Sequence, residues 1–314
     1  MSYTHEPTYI YNYTCAEEEI SLCALEMRTL FQTDTHSQYT TVESNIKMDP
    51  SRSPFIRERI DILYEGESIS DIIPHLREMD KILETFKVRC VQNKLTKIEL
   101  KERRRIEREV GLHIPGTPDL HNPERVFGVM FVNGSWVFGD YHENRAVWLQ
   151  HKNKPNSYST ALNTRVARAI VNIAIPNPEG VRAIDPCCGI GTVLIEALSM
   201  GIDIEGSDNN PLVMKGVREN IGHFHYSADV ALRDIKDITN RYDIAIIDLP
   251  YNLCSVLSDE EKLEMLQSAR QFTKRLVVVT VEPIDDLLRD SGFHMLDRAE
   301  LRKRKFVRQI IVCE

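Results

Sequence analysis

The second half of the chain alternates between two hydrophobic patterns. Apolar residues at helical spacing predict helices at 160–174, at 192–200, from Asn210-Pro211 onward and from Ser258 onward. Short apolar runs predict strands at 181–185, 203–208, 229–235, 242–248, 275–281, 292–301 and 306–313. Because strands and helices alternate, we expect a mostly parallel sheet with helices on both faces. The last two strands have no helix between them, and they should be antiparallel neighbours at the sheet edge.

The first half has a different pattern. The predicted elements are a strand and a helix over 10–31, a loop or weak strand over 33–54, a strand at 86–91, a basic amphipathic helix over 97–110 and a hairpin over 125–141. Asn133-Gly134 forms the hairpin tip, a dipeptide that favours the tight turn between two strands. We therefore expect an α+β region, which residues 142–159 connect to the second half.

Composition narrows the class of protein. A length of 314 residues favours two domains, and 42% hydrophobic with 27% charged residues is typical of a globular protein. We find no apolar run of membrane-spanning length and no signal-peptide layout, so we predict a cytoplasmic protein with no membrane partner. Seven cysteines without a CxxC pair indicate reduced thiols, and we predict no metal site.

Charge is distributed unevenly along the chain. The net charge is −8, yet residues 87–108 carry nine Lys and Arg against three Asp and Glu. A second basic cluster lies at 298–308. Such runs are often solvated faces of a helix or a strand. Because phosphate binding depends on local potential rather than on net charge, both clusters remain candidates for contact with RNA or DNA.

Four predicted strands in succession end in an acidic residue. These are Asp185, Asp208, Asp234 (or Asp229) and Asp248. A glycine-rich turn, Gly189-Ile-Gly191, follows the first strand and precedes a helix, so the backbone can approach a ligand there. A third glycine at the dinucleotide spacing is missing, which disfavours an NAD or flavin enzyme. Ligands bind at the carboxyl edge of such sheets, and the set predicts a pocket for an adenosine-containing ligand.

The last of these strands runs into Asp248-Leu-Pro-Tyr251. Asp and Pro commonly end a strand and begin a loop, so one interpretation is that this segment only ends the strand and has no chemical role. The alternative interpretation is that Asp248 and the aromatic ring of Tyr251 lie at the mouth of a ligand pocket and take part in its chemistry.

These motifs resemble those of class I S-adenosylmethionine-dependent methyltransferases, and in particular of the RNA enzymes that methylate exocyclic amines. The similar segments are Asp185-Pro-Cys-Cys-Gly-Ile-Gly-Thr192, Gly206-Ser-Asp-Asn-Asn-Pro211 and Asp248-Leu-Pro-Tyr251. The resemblance implies a Rossmann-like domain with a mostly parallel seven-stranded sheet and an antiparallel edge strand. It implies that S-adenosylmethionine is held by Asp185, Pro186, Cys188, Gly189, Gly191, Thr192, Asp208, Asn209, Asp234 and Asp248.

The resemblance also implies roles for the Asp248-Leu-Pro-Tyr251 segment. Asp248 and the carbonyl of Leu249 would accept hydrogen bonds from the amine, and Tyr251 would stack on the flipped base. Pro250 belongs to the same predicted catalytic segment. Leu249 stands where the family usually has proline. Cys254 invites a rival interpretation as the nucleophile of a pyrimidine methyltransferase, which the intact Asp248-Leu-Pro-Tyr251 segment disfavours.

Residues 85–141 resemble a THUMP domain, a module that binds the acceptor end of tRNA. The similar segments are Phe86-Lys-Val-Arg89, Glu107-Arg-Glu-Val-Gly111, Asp119-Leu-His-Asn-Pro123 and the hairpin. We therefore divide the chain into a ferredoxin-like subdomain (1–60), a THUMP-like domain (61–145), a linker (146–158) and a methyltransferase domain (159–314). The predicted RNA-binding residues are Lys87, Arg89, Lys94, Lys97, Lys101, Arg104, Arg105 and Arg108.

This domain arrangement is similar to that of the tRNA guanine-N2 methyltransferases acting on guanine 10 or guanine 6. The sequence thus predicts methyl transfer from S-adenosylmethionine to a guanine N2 amine in tRNA. A guanine in rRNA, or an adenine N6 amine in nucleic acid, would suit the motif equally. A non-catalytic RNA-binding protein on the same fold remains a further alternative. In the resembling family, residues ahead of the first methyltransferase helix (154–163) help to close the cofactor pocket.

Overall fold

The computed structural model describes residues 8–33, 40–157, 161–252, 255–303 and 306–314, with the backbone alone at 251, 252, 255, 256, 303 and 306. The chain forms two compact units. Residues 35–145 and the first 14 residues make the first unit, while residues 15–34 and 146–314 make the second. None of the helices among the described residues has the length and apolar content needed to cross a membrane.

The elements up to residue 145 follow the predicted order, with additions. They are β1 (Tyr9–Tyr13), α1 (Ile20–Phe31), β2 (Thr41–Ser44), β3 (Ile56–Gly66), α2 (Ile69–Arg77), β4 (Thr85–Val91), α3 (Leu100–Gly111), β5 (Thr117–Pro118), β6 (Arg125–Val132) and β7 (Ser135–Glu143). Asn133 and Gly134 have φ angles of 52° and 88°, the left-handed backbone that a two-residue hairpin turn needs.

The seven strands of the first unit form one mixed sheet in the order β2-β1-β3-β7-β6-β4-β5. Strands β4 and β6 are parallel and are connected through α3. A buried cluster that includes Phe86, Phe127 and Phe138 fills the space between this sheet and the two helices α2 and α3. We predicted a ferredoxin-like and a THUMP-like part with a boundary near residue 60, but that point lies within β3, in the middle of this sheet.

Helix α1 is part of the second unit, although the predicted boundaries grouped it with the N-terminal subdomain. Its Glu26 side chain is fully buried, and Oε1 accepts a 2.6 Å hydrogen bond from Nδ2 of Asn172. Arg28 donates to the carboxylate of Asp297, with the shortest contact at 2.9 Å. A buried carboxylate needs such partners, and periodicity alone could not show where they come from.

The described residues of the second unit form nine further strands and the remaining helices. They are α4 (Thr164–Ala174), β8 (Arg182–Asp185), α5 (Thr192–Ser199), β9 (Asp203–Asp208), α6 (Pro211–His223), β10 (Val230–Leu232), β11 (Tyr242–Asp248), β12 (Tyr251–Asn252), β13 (Ser255–Val256), α7 (Asp259–Phe272), β14 (Thr273–Thr280), α8 (Asp285–Asp290), β15 (Met295–Lys303) and β16 (Phe306–Cys313). A 3₁₀ helix, Val147–Asn153, precedes α4. The short pair β12 and β13 and helix α8 were not predicted.

The main sheet of the second unit has the order β10-β9-β8-β11-β14-β16-β15. The first five strands are parallel, and β16 runs antiparallel to both β14 and β15. This confirms the predicted Rossmann-like sheet of seven strands and the antiparallel pair at its edge. The reversed strand itself is β16, second from the edge, because the last strand inserts between β14 and β15. The carboxyl ends of β8 to β11 therefore meet at one edge.

Candidate active site

A cavity of about 460 Å³ lies at the carboxyl ends of strands β8, β9, β10 and β11. Each of these strands contributes the acidic residue predicted from the sequence: Asp185, Asp208, Asp234 and Asp248. Nine of the ten predicted cofactor residues line this cavity, namely Asp185, Pro186, Cys188, Gly189, Thr192, Asp208, Asn209, Asp234 and Asp248. Gly191 does not line it. Their roles in cofactor binding stay predictions.

The glycine turn after β8 has two left-handed residues, Gly189 (φ 52°) and Gly191 (φ 80°). A side chain at Gly189 would point into open space, since no atom lies within 4 Å of its ideal Cβ position. At Gly191 a Cβ would lie 2.8 Å from Val217 of α6, so this glycine allows close helix packing instead. The turn thus brings backbone without a side chain to the cavity at residue 189 and places Gly191 at the N-cap of α5.

Asp208 fixes this turn from the neighbouring strand. Its Oδ2 accepts a 2.8 Å hydrogen bond from the amide of Gly189, and its Oδ1 accepts one of 2.9 Å from the amide of Asn210. A carboxylate can accept about four hydrogen bonds, so both oxygens keep capacity for ligand hydroxyls. Asp234 begins a short 3₁₀ turn after β10 by accepting from the amide of Lys236 at 3.0 Å. Asp229 precedes β10 and does not line the cavity.

Asp185 is buried at the base of the cavity, with only 3% of its surface exposed. Its Oδ1 accepts a 3.2 Å hydrogen bond from the amide of Cys187. Burial raises the pKa of Asp185 well above its usual value, and the charges of Asp208 and Asp248 raise it further. Burial likewise raises the pKa of the Cys187 thiol, so it stays protonated and unreactive at neutral pH.

Asp248 lies at the end of strand β11 and lines this cavity. Its Oδ1 is buried and has no hydrogen-bond partner in the described part of the chain. Burial raises the pKa of Asp248 from 3.8 to about 7, and the charge of Arg308 opposes this rise. A buried acceptor without a partner is costly, so it is a candidate for ligand binding.

Leu249 stands where the resembling family usually has proline, and it still fixes the end of strand β11. Its amide donates a 3.0 Å hydrogen bond to the carbonyl oxygen of Val279 on β14, which proline could not do. Its side chain is 3% exposed and packs in the core beneath the cavity. Pro250 lines the cavity. The side chain of Tyr251 and the whole of Cys254 lie outside the described residues, so the predicted stacking role of Tyr251 stays a prediction.

The segment ahead of α4 also reaches the cavity. Ala161 and Leu162 line it, and Asn156 attaches the segment to α6. The amide of Asn156 donates to Oδ1 of Asn220 at 2.8 Å, and Nδ2 of Asn220 donates back to the Asn156 carbonyl at 3.1 Å. The segment predicted to help close the pocket therefore contributes to its wall.

Several residues of the cavity wall could not be predicted from the acidic residues at the strand ends. Helix α7 contributes Glu261, Glu264 and Met265, and Lys236 follows Asp234. Lys236 Nζ lies 2.7 Å from Oε2 of Glu264 in an ion pair at this wall. These residues come from a helix far along the chain, and only the packing of α7 on the sheet brings them here.

The predicted RNA-binding residues all lie in the first unit and fall into two groups. Lys101, Arg104, Arg105 and Arg108 are exposed on α3, and Lys94 and Lys97 are exposed in the loop before it. Arg105 is neutralised by Glu102 and Glu109 on the same helix, at 2.7 and 2.9 Å. On β4, Arg89 pairs with Glu143 at 3.0 Å, and Lys87 donates to the Leu120 carbonyl at 3.1 Å.

A second cavity, of about 510 Å³, lies within the first unit. Arg57, Lys94 and Lys97 line it together with Glu99, so its charge is positive. The hydroxyl of Thr40, a residue only 7% exposed, lines it and has no hydrogen-bond partner among the residues described. This combination suits an anionic group.

The second unit combines a Rossmann-like sheet with a cavity of ligand size at the carboxyl edge of that sheet. Residues 152–285 match the family described as UPF0020: RMKL-like, methyltransferase domain. The chain is 28% identical over 224 residues to the tRNA (guanine(10)-N2)-dimethyltransferase of Methanothermobacter thermautotrophicus, covering 66% of this chain and 64% of that protein. It is 23% identical to the enzyme of the same name from Methanocaldococcus jannaschii, covering 60% of this chain and 54% of that protein. The chain thus spans less than two thirds of the length of these relatives.

Among solved structures, the crystal structure of TrmN from Thermus thermophilus is similar over 98% of this chain and 99% of that one, with 16% identity and a TM-score of 0.48. The family match and the two relatives confirm the resemblance to tRNA guanine-N2 methyltransferases that the motifs predicted. The THUMP assignment of the first unit stays a prediction.

Proposed function

We propose that this protein transfers a methyl group from S-adenosylmethionine to the exocyclic N2 amine of a guanine in tRNA. The observation that carries the proposal is the end of β11, where Asp248 lines the cavity next to Leu249 and its Oδ1 has no hydrogen-bond partner within the described ranges of the chain. Two hydrogen-bond acceptors, Oδ1 of Asp248 and the carbonyl oxygen of Leu249, are close together here. Such a pair suits an –NH2 group, which has two hydrogens to donate. The names of the relatives favour guanine over adenine and position 10 over position 6.

The residues of the cavity fit S-adenosylmethionine. Asp208 and Asp234, at the ends of successive strands, have acceptor capacity for the ribose hydroxyls and for the adenine amino group. The open space at Gly189 leaves room for the rest of the ligand. The buried hydroxyl of Thr192, which has no hydrogen-bond partner among the residues that the structure describes, offers it one hydrogen-bonding group. When bound, this cofactor supplies an electrophilic methyl group on a sulfonium.

The protein's part in the reaction is to bind and orient the amine. An exocyclic amine is a weak nucleophile because its lone pair is delocalised into the ring. Hydrogen bonds from the amine to Asp248 and to the Leu249 carbonyl would expose that lone pair toward the methyl group, and positioning of this kind supplies much of the rate. The base must leave its stack to reach the cavity, at a cost of a few kcal/mol.

The first unit supplies the surface on which we place the RNA. The basic side chains of α3 and the cationic cavity near Thr40 would contact phosphates and so set the register of the tRNA. Contact with the acceptor end through a THUMP-like domain, and a cytoplasmic site of action, are part of the same proposal.

The test uses purified protein, radiolabelled S-adenosylmethionine and undermethylated bulk tRNA, followed by nucleoside analysis. We expect label in N2-methylated guanosine, with the rate in Asp248→Ala lower by about a hundredfold or more. Gln267→Ala, an exposed change on α7, is the matched control and should keep the wild-type rate.

The other outcomes separate the alternatives. Label in methyladenosine would keep the mechanism and replace the base, and label only in rRNA would replace the RNA. If no RNA is labelled, calorimetry with S-adenosylmethionine decides further. Absence of binding would favour a non-catalytic RNA-binding protein, whereas binding would indicate a methyltransferase with another substrate.

A further inference from the structure

Arg308 lies on β16. In the sheet of the second unit, β14 lies between β16 and β11, the strand that ends in Asp248. The sheet register sets Asp248 of β11 opposite Val279 of β14, and Val279 opposite Ile310 of β16. Residues that are directly opposite, or two apart on one strand, place their side chains on the same face. Arg308 is two residues before Ile310, so it shares the face of Asp248.

The antiparallel direction of β16 brings Arg308 to the active-site edge. Gln309 pairs with Thr280, the last residue of β14, so Arg308 lies one step beyond the end of that strand. Neighbouring strands are about 4.8 Å apart, which puts β16 roughly 10 Å from β11. The long side chain of arginine can cross most of that distance over the end of β14.

Electrostatics link the same two residues. Burial raises the pKa of Asp248 to about 7, and the charge of Arg308 is the effect that lowers it. In the other direction, burial lowers the pKa of Arg308 and the charge of Asp248 raises it again. The further charged groups that line this cavity are the acids Asp185, Asp208, Asp234 and Glu261 and the Lys236–Glu264 ion pair.

We propose that Arg308 is a positioning residue for methyl transfer: its guanidinium stabilises the ionised Asp248 carboxylate, so that an unprotonated oxygen faces the substrate amine. A protonated Asp248 would itself be a donor at one oxygen and could no longer accept from the amine there. The inference rests on the proposed function, because Arg308 can affect methyl transfer in this way only if Asp248 binds the substrate amine. It also separates Arg308 from the basic cluster at 298–308 that we treated as a candidate for phosphate contact.

The experiment compares Arg308→Met, which removes the charge, with Arg308→Lys, which keeps it. Arg289→Met, a change of an exposed arginine on α8, is the matched control. The first readout is the titration of Asp248 itself, by NMR of protein labelled with carbon-13 in the aspartate carboxyls and assigned through Asp248→Asn. The second is the single-turnover rate of methyl transfer between pH 6 and pH 9.5, at saturating cofactor and tRNA.

We expect the Asp248 titration to move to higher pH in Arg308→Met and to stay near its wild-type position in Arg308→Lys and Arg289→Met. Because the ionised form is needed, the rate should rise with pH along the same titration. For an increase of about one pKa unit, the rate in Arg308→Met would be about fivefold lower at pH 7 and nearly normal at pH 9.5.

A rate that falls equally at all pH values, with an unchanged Asp248 titration, would show a purely structural role and would overturn the inference. The same holds if Arg308→Lys behaves like Arg308→Met, since charge would then not be the cause. If the wild-type protein methylates no RNA, the proposed function fails. The NMR titration would still decide whether Arg308 stabilises the ionised carboxylate.

Discussion

The side chain of Asn220 donates a 2.9 Å hydrogen bond from Nδ2 to the carbonyl oxygen of Ile190, within the glycine turn that follows β8. Asn220 is fully buried on α6, and the same amide group also bonds to Asn156, ahead of α4. One side chain therefore holds two parts of the cavity wall that are distant in sequence.

We expect Asn220→Ala to weaken S-adenosylmethionine binding, because the turn and the segment near Asn156 would lose their common support. The buried carbonyls left without a donor should also lower the free energy of unfolding by about 1–3 kcal/mol. Calorimetry and urea unfolding measure the two effects. An unchanged cofactor affinity in a destabilised variant would show that the hydrogen bonds serve stability alone.

Gly189 and Gly180 form a matched pair for testing the cavity. Both have left-handed backbones, with φ angles of 52° and 71°, and neither has an atom within 4 Å of an ideal Cβ. Alanine at either position should cost about 1–2 kcal/mol of backbone strain. We expect only Gly189→Ala to reduce cofactor affinity as well, since only that methyl group would enter the cavity. Equal cofactor affinities in the two variants would place the ligand elsewhere.

Leu249→Pro would give the chain the residue that the resembling family usually has. We expect a loss of stability, because proline cannot donate to the Val279 carbonyl and cannot fill the buried space of leucine. Leu249→Ala keeps the amide donor and should cost about 2–5 kcal/mol through lost packing. Chemical denaturation of both variants compares these effects. If the proline variant is more stable than the wild type, the hydrogen bond to Val279 contributes little.

The parallel sheet and its acidic edge could be predicted because each strand carries its own signal. The runs that end at Asp185, Asp208 and Asp248 have the predicted carboxyl ends, and Asn210 accepts from the amide of Leu212 at the start of α6. The predicted strand over 229–235 is shorter in the structure, because Asp234 bonds to the amide of Lys236 and turns the chain into a 3₁₀ helix.

The features of the fold that the sequence did not predict depend on contacts between residues that are distant along the chain. Strand β3 has three consecutive charged residues, Arg57, Glu58 and Arg59, near its start, and it becomes central only because β1 and β7 pair with it. Helix α1 has an ordinary helical pattern, and its place in the second unit depends on the partner of one buried carboxylate, Glu26. Neither the long-range pairing nor the buried partner has a local sequence signature.

The basic face of α3 leads to a prediction about RNA. Arg104 and Arg108 are one helical turn apart and exposed, and neither forms an ion pair with an acidic residue in the described part of the chain, whereas Arg105 contacts Glu102 and Glu109. A neutralised arginine releases few counterions when it meets a phosphate. We therefore expect Arg104→Gln with Arg108→Gln to weaken tRNA binding uniformly and to reduce the salt dependence of log Kd by about one phosphate contact per residue.

Filter binding at several salt concentrations measures both quantities, and Arg105→Gln on the same helix is the control. Its effect on the salt dependence should be smaller, because its charge is already compensated by the two glutamates. Cofactor binding should stay at the wild-type level in all these variants, since α3 belongs to the first unit and the cavity in which we place S-adenosylmethionine belongs to the second. If Arg105→Gln weakens tRNA binding as much as the double variant, the ion pairs of α3 must open on binding, and exposure alone would not identify the phosphate contacts.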